Sequence, residues 1–559
     1  MTDRVDTLSL GPGRPGLRRK DGAWAVGMLA CLVAAACALP MLAVALAAVL
    51  GGTDTVTHLA QTVLPRYTAT TAALVGLVSL GTFAIGVGAA WLVTMTRFPG
   101  VKLFEVALVL PLAFPAYVLA YAYTSVLDHP GIVQSTLRDV TGWGPRDYWF
   151  PEIRSLGGAA TMLVLVLYPY VYLLARAAFL QQSATTFLAA RALGSSAWRA
   201  FFRVSLPLAR PAIAAGVLLT VMETIADFGT VAYFGVQTFA TGIYTSWFAM
   251  ADRAGAAQLA LCLLSFALLL AFLERAQRGR AQYHDASRRQ QRMDPARLHG
   301  PAAGLAIFLC SVPVVFGALV PIVVLFSMGI GSQQDLLSPR YLGFITNSLT
   351  LASVAAAVTL AAAICVGFYR RLRPGQPARG AAYIARLGYA VPGGVIAVGL
   401  IVPFAAFDNA LDAWMQARFG IRTGLLVTGS IWLLVLAYMV RFLAAALGAY
   451  EGGQSMVAAN MDAAARSLGQ GPVGTLRRVH LPILAPSLLT ALLIVFVDVM
   501  KELPATLIMR PFNFDTLAVQ AYRLASDERL DGAAVPSLVI VAMGLLPVIL
   551  ICRQVGRQT

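Results

Sequence analysis

The sequence predicts an all-α, polytopic membrane protein of about twelve spanning helices in two parallel, pseudo-symmetric halves. Three observations predict it. Of the 559 residues, 58% are apolar and only 12% charged, against about a quarter charged in a soluble domain. Apolar runs of about 20 residues recur along the chain, each long enough to cross a ~30 Å hydrocarbon core as a helix. They are apolar throughout rather than alternating, which excludes a membrane β-barrel. Finally, a block of short motifs returns at a fixed offset of 275 residues, as Gly194 and Gly469 illustrate.

Taken in order, the chain opens with a basic tail, residues 1–24, carrying Arg14, Arg18, Arg19 and Lys20. A secretory signal has a shorter apolar stretch than the run of about 25 residues that follows, so a retained first helix is expected. The first half, 25–276, is expected to hold helices at about 25–50, 67–95, 103–127, 158–181, 211–235 and 255–276. A polar linker, 277–300, rich in Arg and Gln and without apolar periodicity, follows. The second half, 301–553, is expected to hold helices at about 302–328, 345–370, 382–406, 424–448, 486–508 and 534–553, before a short tail, 554–559.

The net charge of +16 raises the question of a nucleic-acid partner. With these spans, 30 of the 42 Lys and Arg fall on the side of the N-terminus and 12 on the other. The positive-inside rule then places both termini in the cytoplasm. The basic excess is a topology signal with some attraction to anionic lipid, not a nucleic-acid footprint. Cys31, Cys37, Cys262, Cys310, Cys365 and Cys552 lie in or at the ends of apolar runs without paired spacing, so neither a disulfide framework nor a zinc site is indicated. The five His residues are scattered on both sides of the membrane, and no fixed metal site is expected.

The internal repeat is gapless. Ala190-Arg191, Leu193-Gly194, Arg203-Val204, Leu206-Pro207 and Pro211 return as Ala465-Arg466, Leu468-Gly469, Arg478-Val479, Leu481-Pro482 and Pro486. Six helices separate the copies, so both lie on the cytoplasmic side and the repeat is parallel. Each copy starts with a short Ala-rich helix (Ala189 to Leu193; Ala463 to Leu468). It has a Gly where a helix C-terminus needs the left-handed conformation, and closes with Leu-Pro before the next helix. The pattern describes a rigid elbow with a surface for another protein. An amphipathic connector lying on the membrane is the alternative that spacing alone leaves open.

Leu188-Ala-Ala-Arg-Ala-Leu-Gly194, nine residues, then Val204-Ser-Leu-Pro207 resembles the "EAA" loop of type I ABC importer permeases. Ala463-Ala-Ala-Arg-Ser-Leu-Gly469, nine residues, then Val479-His-Leu-Pro482 repeats the spacing. Neither copy keeps the leading Glu: Leu188 and Ala463 stand there, the latter preceded by Asp462. Further on, Asp227-Phe-Gly-Thr through Tyr244 and Asp498-Val-Met-Lys-Glu through Leu517 resemble the fused, two-repeat permeases of ferric iron importers, a layout that thiamine permeases share. The resemblance runs from about Tyr67 to near the end. It implies the type I ABC importer transmembrane fold, with domains at about 67–276 and 345–553. It also implies an extracytoplasmic substrate-binding protein and two cytoplasmic ATP-binding-cassette subunits that grip the elbows and use ATP and Mg.

Charges inside the apolar runs suggest the cargo. Glu223 and Asp227 are spaced i, i+4, as are Asp498 and Glu502, 275 residues later. Each pair is expected on one helical face, about 18 and 24 Å beyond a helix-opening Pro211 or Pro486. Four lipid-facing carboxylates would cost on the order of 10 kcal/mol, so they are expected to line an interior or wet path, and a symmetric set of acids suits a cation. Interhelical hydrogen bonds or ion pairs, with Lys501 or Arg510 as partners, are the structural alternative. Tyr117 and Tyr121 offer phenolic oxygens of the kind hard Fe(III) favours, or serve only in packing.

No Gly-x-x-x-x-Gly-Lys-Ser/Thr loop occurs, nor any Gly-Lys pair, so ATP chemistry is expected in separate subunits and no cofactor on this chain. No G-x-S-x-G or H-E-x-x-H motif points to an enzyme. An ion-gradient-driven carrier would also use twelve helices and buried acids, but has no reason to keep two matched cytoplasmic elbows. The expectation is a bacterial inner-membrane permease with both termini cytoplasmic, moving ferric iron by alternating access, with thiamine or another small cation as the alternative cargo.

Overall fold

The computed structural model describes residues 22–182, 192–194, 196–280, 295–332, 334–335 and 337–558. Among the described residues, eleven helices are long and apolar enough to cross a membrane, and a bent pair, counted as one span, makes twelve. In the first half these are α1 (Gly22–Leu50), α2 (Leu64–Met95), the bent pair α3 (Val101–Ala107) and α4 (Ala116–Leu127), α5 (Leu156–Leu180), α6 (Leu206–Ala226) with a short α7 (Gly229–Tyr233), and α8 (Arg253–Arg280). The second half repeats them as α9 (Pro301–Val314) running into α10 (Val320–Gly331), α11 (Pro339–Leu372), α12 (Gln376–Leu387) with α13 (Gly393–Phe419), and α14 (Ile431–Gln454). After these come α15 (Ala459–Ser467), α16 (Leu481–Met500), α17 (Pro504–Met509) and α18 (Leu530–Gln558).

The third expected span, 103–127, is not one helix. It passes through a 3-10 turn, Leu110–Ala113, and turns by 91° before α4. Pro115 lacks an N–H and disfavours helical geometry at the residue before it, so Phe114 is extended at φ −90, ψ 133. The ninth expected span, 382–406, breaks for the same reason: Val391, before Pro392, sits at φ −85, ψ 120 between α12 and α13. The fifth and eleventh spans end earlier than expected, at Ala226 and Met500, and restart as α7 and α17.

Pro211 and Pro486 lie inside α6 and α16 rather than opening them. Upstream, one wide π turn, Phe201–Ser205 in the first half and Leu476–His480 in the second, joins each helix to a preceding turn, Ala197–Ala200 or Pro472–Thr475. The Leu206 and Leu481 amides reach back five residues, to the Phe201 and Leu476 carbonyls. A proline has no N–H to complete the normal ladder, and the wider turn accommodates Pro207 and Pro482 just beyond it. The Leu-Pro pair therefore continues a helix instead of closing a loop.

The halves are interlocked. In each, the second helix packs on the fourth, α2 on α5 and α11 on α14, and the fifth joins them. The first helix of each half crosses over. α1 packs against α8 of its own half and α11, α12 and α13 of the other; α9 packs against α2, α10 against α18 and α4, and the turn Val315–Leu319 between them against α5. The end of the linker is pinned as well, Ala296–Arg297 pairing in parallel with Thr96–Arg97 after α2. The apolar core is continuous through both halves, with Tyr121, Tyr168, Tyr172 and Tyr438 fully buried in it.

Candidate functional site

The helix breaks converge. A cavity of about 100 Å³ lies between the halves, lined by the Phe114–Tyr117 break, by α5, α6 and α14, and by the turns after α6 and α16. Glu223, Asp227, Asp498 and Glu502 all line it. The volume holds a small ion with several waters.

The second acid of each pair does not continue its helix, so the shared helical face expected for i, i+4 fails there. Asp227 leaves helical geometry at φ −66, ψ 128. Its carboxylate accepts from the Thr230 amide (3.1 Å), the Thr230 hydroxyl (3.0 Å) and the Val231 amide (3.2 Å), capping α7. Glu502 does the same for α17, accepting from the Ala505 amide (3.0 Å), the Thr506 amide (3.2 Å) and the Thr506 hydroxyl (3.0 Å). Tyr438 donates to it at 3.3 Å and Arg441 at 3.4 Å. A carboxylate cap satisfies amides left open at a helix start, and here it holds the break itself.

The first acids, Glu223 and Asp498, are the more available. Glu223 accepts from the Tyr389 hydroxyl at 3.1 Å. Asp498 pairs with Lys501 at 2.9 Å. Arg441 and Lys501 both line the cavity, although loop-by-loop charge counting assigns them to opposite sides of the membrane. Arg510 is bonded to Asp515 and neutralises none of the four acids. Tyr117 lines the cavity and donates to the Lys501 carbonyl at 3.4 Å. Tyr121 does not reach it: it is fully buried against Tyr117 and Tyr233. Sequence reasoning missed Tyr170, which lines the cavity, along with Tyr389 and Arg441; a lone Arg inside α14 was the one available signal. Among the described residues, no group of three or more His, Cys, Asp or Glu is placed to hold a metal ion.

At the other end of α16 stands the second elbow. α15 ends at Ser467, and Gly469 takes φ +76. The Gly469 amide bonds the Arg466 carbonyl and the Gln470 amide bonds the Ala465 carbonyl, each at 3.0 Å, which closes the helix in a Schellman turn. Ala465 is buried, Leu468 is 79% exposed at the tip, and Arg466, Arg478 and Pro482 face outward beside the partly buried Leu481. In the first elbow Ala190 and Arg191 lie outside the described residues. Its Gly194 has φ +85, Leu193 is 87% exposed and Arg203 is exposed, with Leu206 and Pro207 half-buried. Both copies thus present a leucine immediately before a left-handed glycine.

Asp462 ties the second elbow to the membrane helices. It bonds Arg371 at the end of α11 and His480 in the π turn, each at 2.7 Å, and Arg371 also donates to the Val457 carbonyl at 2.7 Å. Partial burial works to raise the Asp462 carboxyl, but the Arg371 and His480 bonds outweigh it and hold it below its ordinary range.

Known proteins are similar to this chain in sequence. Fe(3+)-transport system permease protein FbpB 2 of Haemophilus influenzae is 24% identical, over 94% of this chain and 97% of its own length. Ferric transport system permease protein FbpB of Actinobacillus pleuropneumoniae is 25% identical over 80% of this chain and 64% of its own. Molybdenum transport system permease protein ModB of Escherichia coli is 29% identical over 35% of this chain and 83% of its own. Residues 82–282 match the family described as the inner membrane component of binding-protein-dependent transport systems. With its doubled spans and doubled elbows, the chain is similar over nearly its whole length to multi-pass, inner-membrane ABC transport permeases.

Proposed function

We propose that this chain is the permease of a ferric iron importer, supplying both halves of the path. The observation that carries the reading is a cavity between the halves that the acids of both repeats line together, Glu223 and Asp227 from one and Asp498 and Glu502 from the other. The full-length relative named for Fe(3+) transport supports the same cargo. An extracytoplasmic binding protein hands the ion to the face opposite the elbows. Two ATP-binding-cassette subunits, which bind ATP and Mg, grip the elbows at Leu193-Gly194 and Leu468-Gly469, and both termini lie with them in the cytoplasm. Closure of the ATPase pair moves α6 and α16 as levers, because each runs without a break from its elbow to the cavity wall. The helix breaks capped by Asp227 and Glu502 are where that movement changes the access of the cavity from one face to the other.

An oxyanion is the second reading, favoured by Arg441 and Lys501 in the cavity and by the likeness to a molybdenum permease. Radiolabelled ferric iron, thiamine and molybdate are offered in parallel to cells lacking the chain and to cells re-supplied with it or with Glu223→Gln. Restored iron uptake that drops about tenfold or more in the variant is the expected result for a carboxylate on the ion path. Restored molybdate or thiamine uptake without iron uptake reassigns the cargo.

A further inference from the structure

The repeats match in their acids and differ in their bases. At the 275-residue offset Arg441 stands where the first half has Val166, and Lys501 where it has Ala226; all four residues line the cavity. One wall therefore carries two carboxylates held by hydroxyls and amides, while the other carries two carboxylates each bonded to a cation. Of those two bases, Arg441 faces Glu502, whose oxygens are already engaged by two amides, a threonine and a tyrosine. Lys501 is different: its Nζ lies 2.9 Å from Asp498, within the field of Glu223 across the cavity.

We propose that Lys501 is a tethered stand-in for the transported cation, occupying the Asp498 side of the cavity when no cargo is present and excluding monovalent ions from the path. The inference rests on the cation path proposed above and deepens it by assigning its charge selectivity. In a low-dielectric passage, exposed carboxylates draw any available cation. A sodium or potassium ion arriving at Asp498 offers one positive charge where Lys501 already supplies one, and gains nothing by displacing it. An ion of charge +3 has three times the Coulomb attraction for each carboxylate, and is able to take Asp498 and Glu223 together while the lysine swings aside. The lysine stem makes that possible, since an ammonium on four flexible carbons reorients where a guanidinium fork is held by several bonds.

The test uses the whole transporter, permease with its ATPase subunits, reconstituted into vesicles matched for incorporated protein. Efflux of ²²Na⁺ is followed without ATP. Native vesicles and Lys501→Arg vesicles are expected to stay tight, and Lys501→Gln vesicles to leak about tenfold faster or more, as when a fixed charge barrier is taken out of a pore. The double variant Asp498→Asn/Lys501→Gln, which removes the uncovered acid together with its cover, is expected to be tight again. Sodium retention in Lys501→Gln equal to native overturns the proposal. So does a leak that persists in the double variant, because it would come from a packing hole and not from an uncovered charge. Ferric uptake is measured in the native vesicles with ATP and the binding protein; its absence would remove the iron reading while the sodium comparison still stands or falls by itself.

Discussion

At the level of single residues, the contacts that matter most join positions far apart in sequence. Asp462 is 91 residues from Arg371 and 18 from His480, yet it holds the second elbow between them. The first copy has Thr96, Phe187 and Ser205 at the corresponding positions, so this clamp belongs to one elbow alone. The sequence shows an acid beside the place of the missing family Glu but not its partners, because pairing across helices leaves no periodic trace. The same holds for Arg441, legible as an unusual charge inside an apolar run but not as a cavity residue. Since the folded pKa of Asp462 lies below the free value of 3.8, the clamp contributes stability that is complete above that value and is lost as pH falls through the folded pKa. Thermal melting of the purified protein should therefore show a fall in Tm as pH is lowered from about 4 toward 2 that is smaller in Asp462→Asn. At neutral pH Asp462→Ala should cost about 1–3 kcal/mol, because it leaves the buried His480 Nε2 without its partner and takes from Arg371 its carboxylate, the Val457 carbonyl remaining.

Among the elements, helix existence was legible and helix interruption was not. Apolar runs continue across Pro115 and Pro392, so a hydropathy reading gives one span where the backbone turns. Asp227 and Glu502 sit at i+4 from another acid, which suggests a helical face, but each carboxylate bonds the next few amides more favourably than a continued helix would allow. The elbows were read better, because a left-handed glycine after an Ala-rich turn is a local signal. At Gly469 and Gly194 an added Cβ meets no atom within 4 Å, so any defect of a substitution comes from the positive φ and not from crowding. Gly469→Val should strain the Schellman turn by about 1–2 kcal/mol, whereas Gly469→Asn, which tolerates that conformation, should be mild. Co-purification of the ATPase subunits and ATP-dependent uptake are expected to drop in the valine variant with membrane insertion unchanged; normal ATPase recruitment would remove the elbow from the coupling scheme.

Across the whole molecule, the crossing of α1 and of α9–α10 onto the opposite half means that neither half moves as an isolated bundle. Relative motion must be taken up at contacts outside those crossings, and one such contact lies on the face opposite the elbows. Arg154, just before α5, donates to both carboxylate oxygens of Glu528, just before α18, at 2.7 and 2.9 Å, and to Asp128 at 3.0 Å. The first and second halves are thereby latched on the face where the proposed importer takes up its cargo. The Arg154 hydrogen bond holds the Glu528 carboxyl below its ordinary value of 4.5, so the latch is intact above that value and releases as pH falls through the lowered pKa. Glu528 is largely exposed, so the bridge is worth about 1 kcal/mol or less. That is enough to change the ratio of open to closed forms by at most about fivefold. Arg154→Ala should accordingly raise ATP hydrolysis in the absence of the binding protein by a few-fold, while leaving uptake at saturating binding protein nearly unchanged. A short bis-maleimide joining Arg154→Cys to Glu528→Cys, in a chain stripped of its native cysteines, should do the opposite and stop uptake outright. Full cross-linking with undiminished uptake would show that the halves do not part at this face, and that the path opens through movement within one half instead of between them.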